Sequence, residues 1–221
     1  HGGALVMGAG EVCRAMAMAS VDGIGRRLFS VDYRMAPDHP YPAALDDCMT
    51  AYRALLRDHR PGDIVVRGTS AGGNLAAALV LRARDERLPL PAGAVLATPE
   101  LDLTESGDSF QTNLGIDTVL TASLMPQNLL YAGGHDLTDP YVSPLFGDLT
   151  QGFCPTFLST GTRDLFLSNT VRMHRALRAA GVRAELHVLE AAPHAGFFGM
   201  APEDAELAAE MRRFVDELFG D

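Results

Sequence analysis

The sequence predicts an α/β fold, a mostly parallel sheet with helices on both faces, and three observations carry the prediction. Short apolar runs alternate with stretches of helical spacing along most of the chain. A length of 221 residues suits a single domain whose core is large enough to fold without disulfides or metals. One run rich in Thr, Gly, Asp and Pro interrupts the alternation over residues 99–149, as a lid or cap inserted into such a sheet would.

The elements follow in order. Residues 28–33 (LFSVDY) read as a strand, and after a Pro-rich turn Ala44, Leu45, Cys48, Tyr52, Leu55 and Leu56 recur at helical spacing. Residues 64–67 (IVVR) form a short apolar strand, followed by an Ala/Leu helix over 71–86 that ends before Pro89. A strand over 94–97 closes the first half, and the cap run holds one helix-like stretch at 122–131. The alternation resumes with a strand at 156–159, a helix at 169–180 stopped by Gly181, and a strand at 184–189. A helix at 203–219 ends the series, with Pro202, Glu203 and Asp204 suited to its first turn. The expected division is a core in two parts, 1–98 and 151–221, with the cap and its connection at 99–150.

Composition excludes several classes of function. Acidic residues outnumber basic ones by 28 to 18, a net charge of −10 that argues against a nucleic-acid or anionic-membrane surface. No apolar stretch approaches the ~20 residues that cross a bilayer. The three cysteines, Cys13, Cys48 and Cys154, are too few and too scattered for a disulfide framework or a zinc site, so a reducing, cytoplasmic setting is expected. His135, Asp136 and Asp139 read as a polar loop rather than metal ligands, and Gly8-Ala9-Gly10 lacks the strand and the Lys-Ser/Thr of a phosphate loop. No cofactor and no metal are expected.

Gly68-Thr69-Ser70-Ala71-Gly72 matches G-x-S-x-G between a strand and a helix, the setting a nucleophile elbow requires. A serine hydroxyl is a poor nucleophile unaided, so a base is needed. Among seven histidines, His194 follows the last strand on a short loop at the end of the sheet where such sites form. Asp164 follows the preceding strand, giving the chain order Ser, acid, His. His1-Gly2-Gly3-Ala4 supplies a loop whose amides could approach a developing oxyanion, and Ala71 supplies another donor. Phe110, Phe166, Phe197 and Phe198, with Leu120 and Leu124, offer apolar walls for a substrate.

These runs, together with Asp32-Tyr33-Arg34-Met35-Ala36-Pro37 and Asp139-Pro140-Tyr141-Val142-Ser143-Pro144, resemble the hormone-sensitive-lipase-like carboxylesterases (bacterial family IV) in their Gly-Thr-Ser-Ala-Gly-Gly branch. The resemblance spans essentially the whole chain and implies an α/β-hydrolase fold. It further implies Ser70 as nucleophile, His194 as base and then acid, Asp164 as the group that orients the imidazole, and an oxyanion hole from the amides of Gly3, Ala4 and Ala71. Two positions depart from the family pattern: Ala4 stands where a third loop glycine is usual, and Ala195 separates His194 from Gly196. Arg34 is expected to brace the active-site loops through a buried ion pair.

The expected activity is hydrolysis of short to medium acyl esters of small molecules through an acyl-enzyme. An amidase or lactonase would use the same triad, and a non-catalytic small-molecule receptor of the same fold is the alternative outside enzymes. A homodimer through the final strand is also implied. In the family, a strand runs directly into the His-Gly-Gly loop from the middle of the sheet, so that strand and the N-terminal part of the cap are expected upstream of His1, in a longer protein.

Overall fold

The computed structural model describes residues 1–220, with side chains for all of these except 22–24. Four parallel strands, β1 (Val65–Thr69), β2 (Gly93–Ala97), β3 (Thr156–Gly161) and β4 (Ala184–Leu189), lie side by side in chain order. Val65 stands opposite Gly93, Ala94 opposite Thr156, and Thr156 opposite Ala184, so the strands end nearly level. β2 and β3 are the central strands, and β3 is buried along its whole length, as expected where helices cover both faces.

Among the described residues seven α-helices accompany this sheet: α1 (Glu11–Ile24), α2 (Ala43–Asp58), α3 (Ala71–Asp85), α4 (Ser109–Thr112), α5 (Met125–Ala132), α6 (Leu167–Ala179) and α7 (Pro202–Phe219). Side-chain alternation sorts the core between the two faces. Val66, Ala94, Leu96 and Leu158 turn toward α2, α3 and α6, in a large cluster that includes Leu45, Met49, Leu75 and Met173. Val65, Val95 and Phe157 turn the other way, onto Met211, Phe214 and Val215 of α7.

α3 is nearly all Gly, Ala and Leu, and almost every residue of it is buried, so it can sit tight against β1 and β2. That closeness explains Gly68: a Cβ there would lie 1.9 Å from the carbonyl oxygen of Gly72, inside any tolerable contact.

Residues 99–149 are ordered by their aspartates. Asp102, Asp117, Asp136, Asp139 and Asp148 each accept a bond from the backbone N–H two residues on, at Thr104, Val119, Thr138, Tyr141 and Thr150. Asn74 of α3 fastens the run to the core, its side-chain amide donating to the carbonyls of Glu100 and Val142.

Three sequence expectations change. Residues 28–33 form no strand; their backbone has no ladder partner among the described residues, and Leu28 and Phe29 face solvent. An apolar alternating run becomes a strand only beside another strand, and β1 is likewise unpaired on its outer edge. Helix α1 falls where no helix was expected; its weak apolar face explains why, since Cys13 is buried while Val12, Met16 and Met18 lie exposed. Finally, Arg34 does pair with an acid, gripping Asp47 through Nε and Nη2, but both side chains are partly exposed, so the pair is not buried.

Candidate active site

The carboxyl ends of β1, β3 and β4 carry the turn at Ser70, the loop at Asp164 and the loop at His194, so the three predicted residues project from one edge of the sheet. Ser70 links β1 directly to α3 with φ 57° and ψ −122°, a left-handed conformation that costs an L-residue of order 1–3 kcal/mol. The strain is held from several sides: Ser70 donates its N–H to the Ala97 carbonyl, and its own carbonyl accepts from Gly73, Asn74 and Glu100.

Asp164 and His194 meet directly. Asp164 is wholly buried and His194 nearly so, and Nδ1 of the imidazole lies 3.0 Å from Oδ1 of the carboxylate. The carboxylate is fixed in turn, accepting from the Phe166 N–H on Oδ1 and from the Thr160 hydroxyl on Oδ2. With Nδ1–H committed to an acid, Nε2 is left as the basic nitrogen. No hydrogen bond within 3.5 Å joins the Ser70 hydroxyl to the imidazole among the described residues; such bonds commonly tighten only when substrate is bound.

The His-Gly-Gly loop lies against the nucleophile turn. His1 stacks on Tyr33 with ring centroids 4.0 Å apart, and the Tyr33 hydroxyl donates to the His1 carbonyl. A Cβ on Gly2 would touch Ser70, and one on Gly72 would press on the His1 carbonyl at 2.7 Å. Gly3 adopts φ 128°, where a side chain would overlap the Met7 carbonyl, so glycine is required there. Ala4 (φ 50°) and Ala195 (φ 67°) both take left-handed conformations at the two positions that depart from the family pattern. The amides of Gly3 and Ala4 donate to no group among the described residues, and Ala71 opens α3, where an N–H has no partner within the helix.

The four phenylalanines separate. Phe166 has no accessible surface and stands nearly perpendicular to the His194 imidazole, with ring centroids 4.9 Å apart; Phe110 packs beside it with Leu165, Leu120 and Leu124. A substrate therefore cannot touch Phe166, which instead backs the imidazole. Phe197 is half-buried and Phe198 is exposed on the histidine loop.

Four functional neighbours escaped the sequence reading. Thr160 bonds to Asp164, Asp117 bonds to the loops of Asp164 and His194, Asn113 bonds to the Asp164 loop, and the buried Glu100 donates its N–H to the Ser70 carbonyl. Burial pushes the Glu100 carboxyl up to about 8, against a smaller opposing effect of the neighbouring Asn128 side chain. His1, Cys13 and Asp32 bring possible ligand atoms within 4.8 Å of one another. Asp32 there accepts the Gly10 N–H and Cys13 meets Ser30, whereas His1 Nε2 is buried without a hydrogen-bond partner among the described residues, and the Gly8-Ala9-Gly10 loop binds a carboxylate of its own chain. Asp136 and Asp139 serve turns, as expected of a polar loop.

A sequence profile described as alpha/beta hydrolase fold matches residues 1–198. An esterase of Acinetobacter venetianus is 35% identical over 83% of this chain and 61% of its own length. An acetyl-hydrolase of Streptomyces hygroscopicus is 35% identical over 82% of this chain and 61% of its own. Among solved structures, an esterase superposes with a TM-score of 0.94 at 44% identity, covering 98% of this chain and 68% of that one. An esterase from the bacterial hormone-sensitive lipase family superposes at 0.93 with 33% identity, covering 99% and 75%. The chain belongs to the α/β-hydrolase fold family, within the hormone-sensitive-lipase-like esterases. It spans 61% of the length of the first two relatives.

Proposed function

We propose that the protein is a serine carboxylesterase acting on esters of short to medium acyl chains. The observation that carries the reading is the buried 3.0 Å contact between His194 Nδ1 and Asp164 Oδ1 at the sheet edge that also carries the strained Ser70 turn. The relatives' names, esterase and acetyl-hydrolase, favour carboxylic esters and small acyl groups. Residues 1–98 and 151–221 act as the catalytic core and 99–150 as the cap.

In the first half of the reaction Ser70 Oγ attacks the ester carbonyl carbon while His194 Nε2 takes the hydroxyl proton. The tetrahedral oxyanion rests on the amides of Gly3, Ala4 and Ala71, each such donor contributing about 3 kcal/mol to the transition state. Collapse breaks the bond to the alkoxy oxygen, which leaves as the alcohol with the proton from His194. Water repeats the sequence on the acyl-Ser70 ester, giving the carboxylic acid and the free serine. Asp164 holds the imidazole in the tautomer and orientation that both halves need, and stabilises the imidazolium between them.

A fluorophosphonate should add its mass to the peptide that contains Ser70. Labelling at another residue, or none in the folded protein, overturns the assignment. A cytoplasmic setting fits the three free cysteines. A homodimer through the free outer edge of β4, where Val188 is exposed, completes the proposal. Sedimentation as a dimer supports that part, and sedimentation as a monomer removes it.

A further inference from the structure

Asp117 lies in the cap run, far in sequence from the acid and the base, yet its carboxylate touches the loops of both. It is 2% exposed. Oδ1 accepts from the N–H groups of Val119, Leu120 and His194 at 2.9, 3.2 and 3.3 Å, and Oδ2 accepts from the Leu165 N–H at 2.9 Å. The first two bonds fold its own turn, which is the ordinary work of a loop aspartate. The other two reach across 48 and 77 residues, to the residue that follows Asp164 and to His194 itself.

The same turn reaches the acid loop a second way. Asn113, whose carbonyl accepts the Asp117 N–H, donates its side-chain amide to the carbonyls of Asp164 and Thr162 at 2.8 and 3.2 Å. One short turn therefore holds carbonyls and amides of the acid loop and the amide of the base. A buried carboxylate is costly to keep without donors, and hydrogen bonds to a charged acceptor are stronger and shorter than neutral ones, so these bonds fix position tightly.

We propose that Asp117 is a positioning residue for the hydrolytic reaction: through the turn at 113–117 the cap sets the distance and angle between the His194 imidazole and the Asp164 carboxylate. Catalysis and cap placement are then linked, because a shift of this turn moves the base. The inference rests on the reading of Ser70, Asp164 and His194 as the triad.

Asp117→Asn preserves shape but turns an –NH2 group toward backbone N–H donors, so one of the reaching bonds is lost and repelled. A displacement of about 1 Å in a catalytic group costs about 100-fold in rate. Measured well below the thermal midpoint with p-nitrophenyl butyrate, kcat of Asp117→Asn should fall about 10- to 100-fold. KM should stay within about twofold, and fluorophosphonate labelling of Ser70 should slow in step with kcat. A residue that only braced the fold would lower the midpoint and leave this split absent. Asp136→Asn removes an equivalent turn bond that reaches neither loop, and should leave kcat unchanged. Wild-type kcat and labelling rate in Asp117→Asn overturn the inference. Failure of the wild-type protein to label at Ser70 overturns the triad reading instead. Should Asp117→Asn not fold, Asn113→Ala gives the same readout: a fall in kcat at constant KM supports the inference, and an unchanged kcat overturns it.

Discussion

The nucleophile turn and the acid–base loops lie at the same edge of the sheet, but they are held by different forces. At Ser70 the constraint is steric: Gly68, Gly72 and Gly2 let α3 and the His-Gly-Gly loop close on the turn so tightly that no side chain fits between them. At Asp164 and His194 the constraint is polar, a chain of hydrogen bonds from Thr160 and Phe166 to the Asp164 carboxylate, from the imidazole to the same carboxylate, and from the His194 backbone N–H to Asp117. Backbone sterics fail by unfolding, because packed atoms have nowhere to go. Hydrogen bonds fail by loss of geometry while the fold survives. Substitutions in the two regions should therefore separate stability from rate.

The largest expected effect is on rate. Asp164→Asn keeps the volume of the side chain but presents the wrong hydrogen-bonding pattern to Nδ1, and kcat on a short p-nitrophenyl ester should fall by about 10⁴, with circular dichroism and the melting midpoint close to wild type. A rate within tenfold of wild type would move the acid to another carboxylate.

Next comes a stability effect in the other region. Gly68→Ala places a methyl 1.9 Å from the Gly72 carbonyl, between two backbones that cannot swing aside. We expect a loss of at least about 3 kcal/mol by urea denaturation. Stability equal to wild type would show that α3 can retreat from β1 and that the turn is not sterically locked.

The smallest effect lies between the regions, at Glu100, whose N–H bonds to the Ser70 carbonyl while its carboxyl is buried beside the Asn128 side chain. In the unfolded chain this carboxyl ionises near its ordinary 4.5, whereas in the folded chain it keeps its proton up to about 8. The folded state thus binds the extra proton across that interval, and the stability it gives below about 4.5 is lost as pH rises through about 8. Glu100→Gln removes the titration. Its stability should match wild type at pH 4 and exceed it increasingly as pH rises toward 8. A wild-type minus variant difference that does not change with pH would mean that Glu100 is ionised in the fold.

How much of this was legible in the sequence follows from the span of each interaction. The nucleophile turn could be read because all of its requirements, a short apolar strand, two glycines and a small-residue helix, fall in one continuous run, residues 65–85. The strands β1 to β4 and helices α2, α3, α6 and α7 were legible for the same reason, since periodicity is a local property. Residues 28–33 show the limit of that reading: alternation marks a surface that can be covered on one side but does not supply the neighbouring strand. Helix α1 was silent because it buries little more than Cys13. Asp117 was invisible for the opposite reason, because its bonds to Leu165 and His194 cross 48 and 77 residues and obey no spacing rule. Phe166 was read as a substrate wall from its position beside Asp164; its burial against the imidazole could be seen only once the cap residues Phe110, Leu120 and Leu124 were in place around it.

The central claim is that Ser70, driven by the His194–Asp164 pair, carries the acyl group between ester and water. Mixing the protein with p-nitrophenyl acetate, quenching in acid within the first turnover and digesting it tests that claim most directly. An acetyl group should appear on the Ser70 peptide, formed in step with a burst of p-nitrophenol and lost as steady turnover proceeds. An acetyl group on any other residue, or turnover in a Ser70→Ala variant at the wild-type rate, would contradict it.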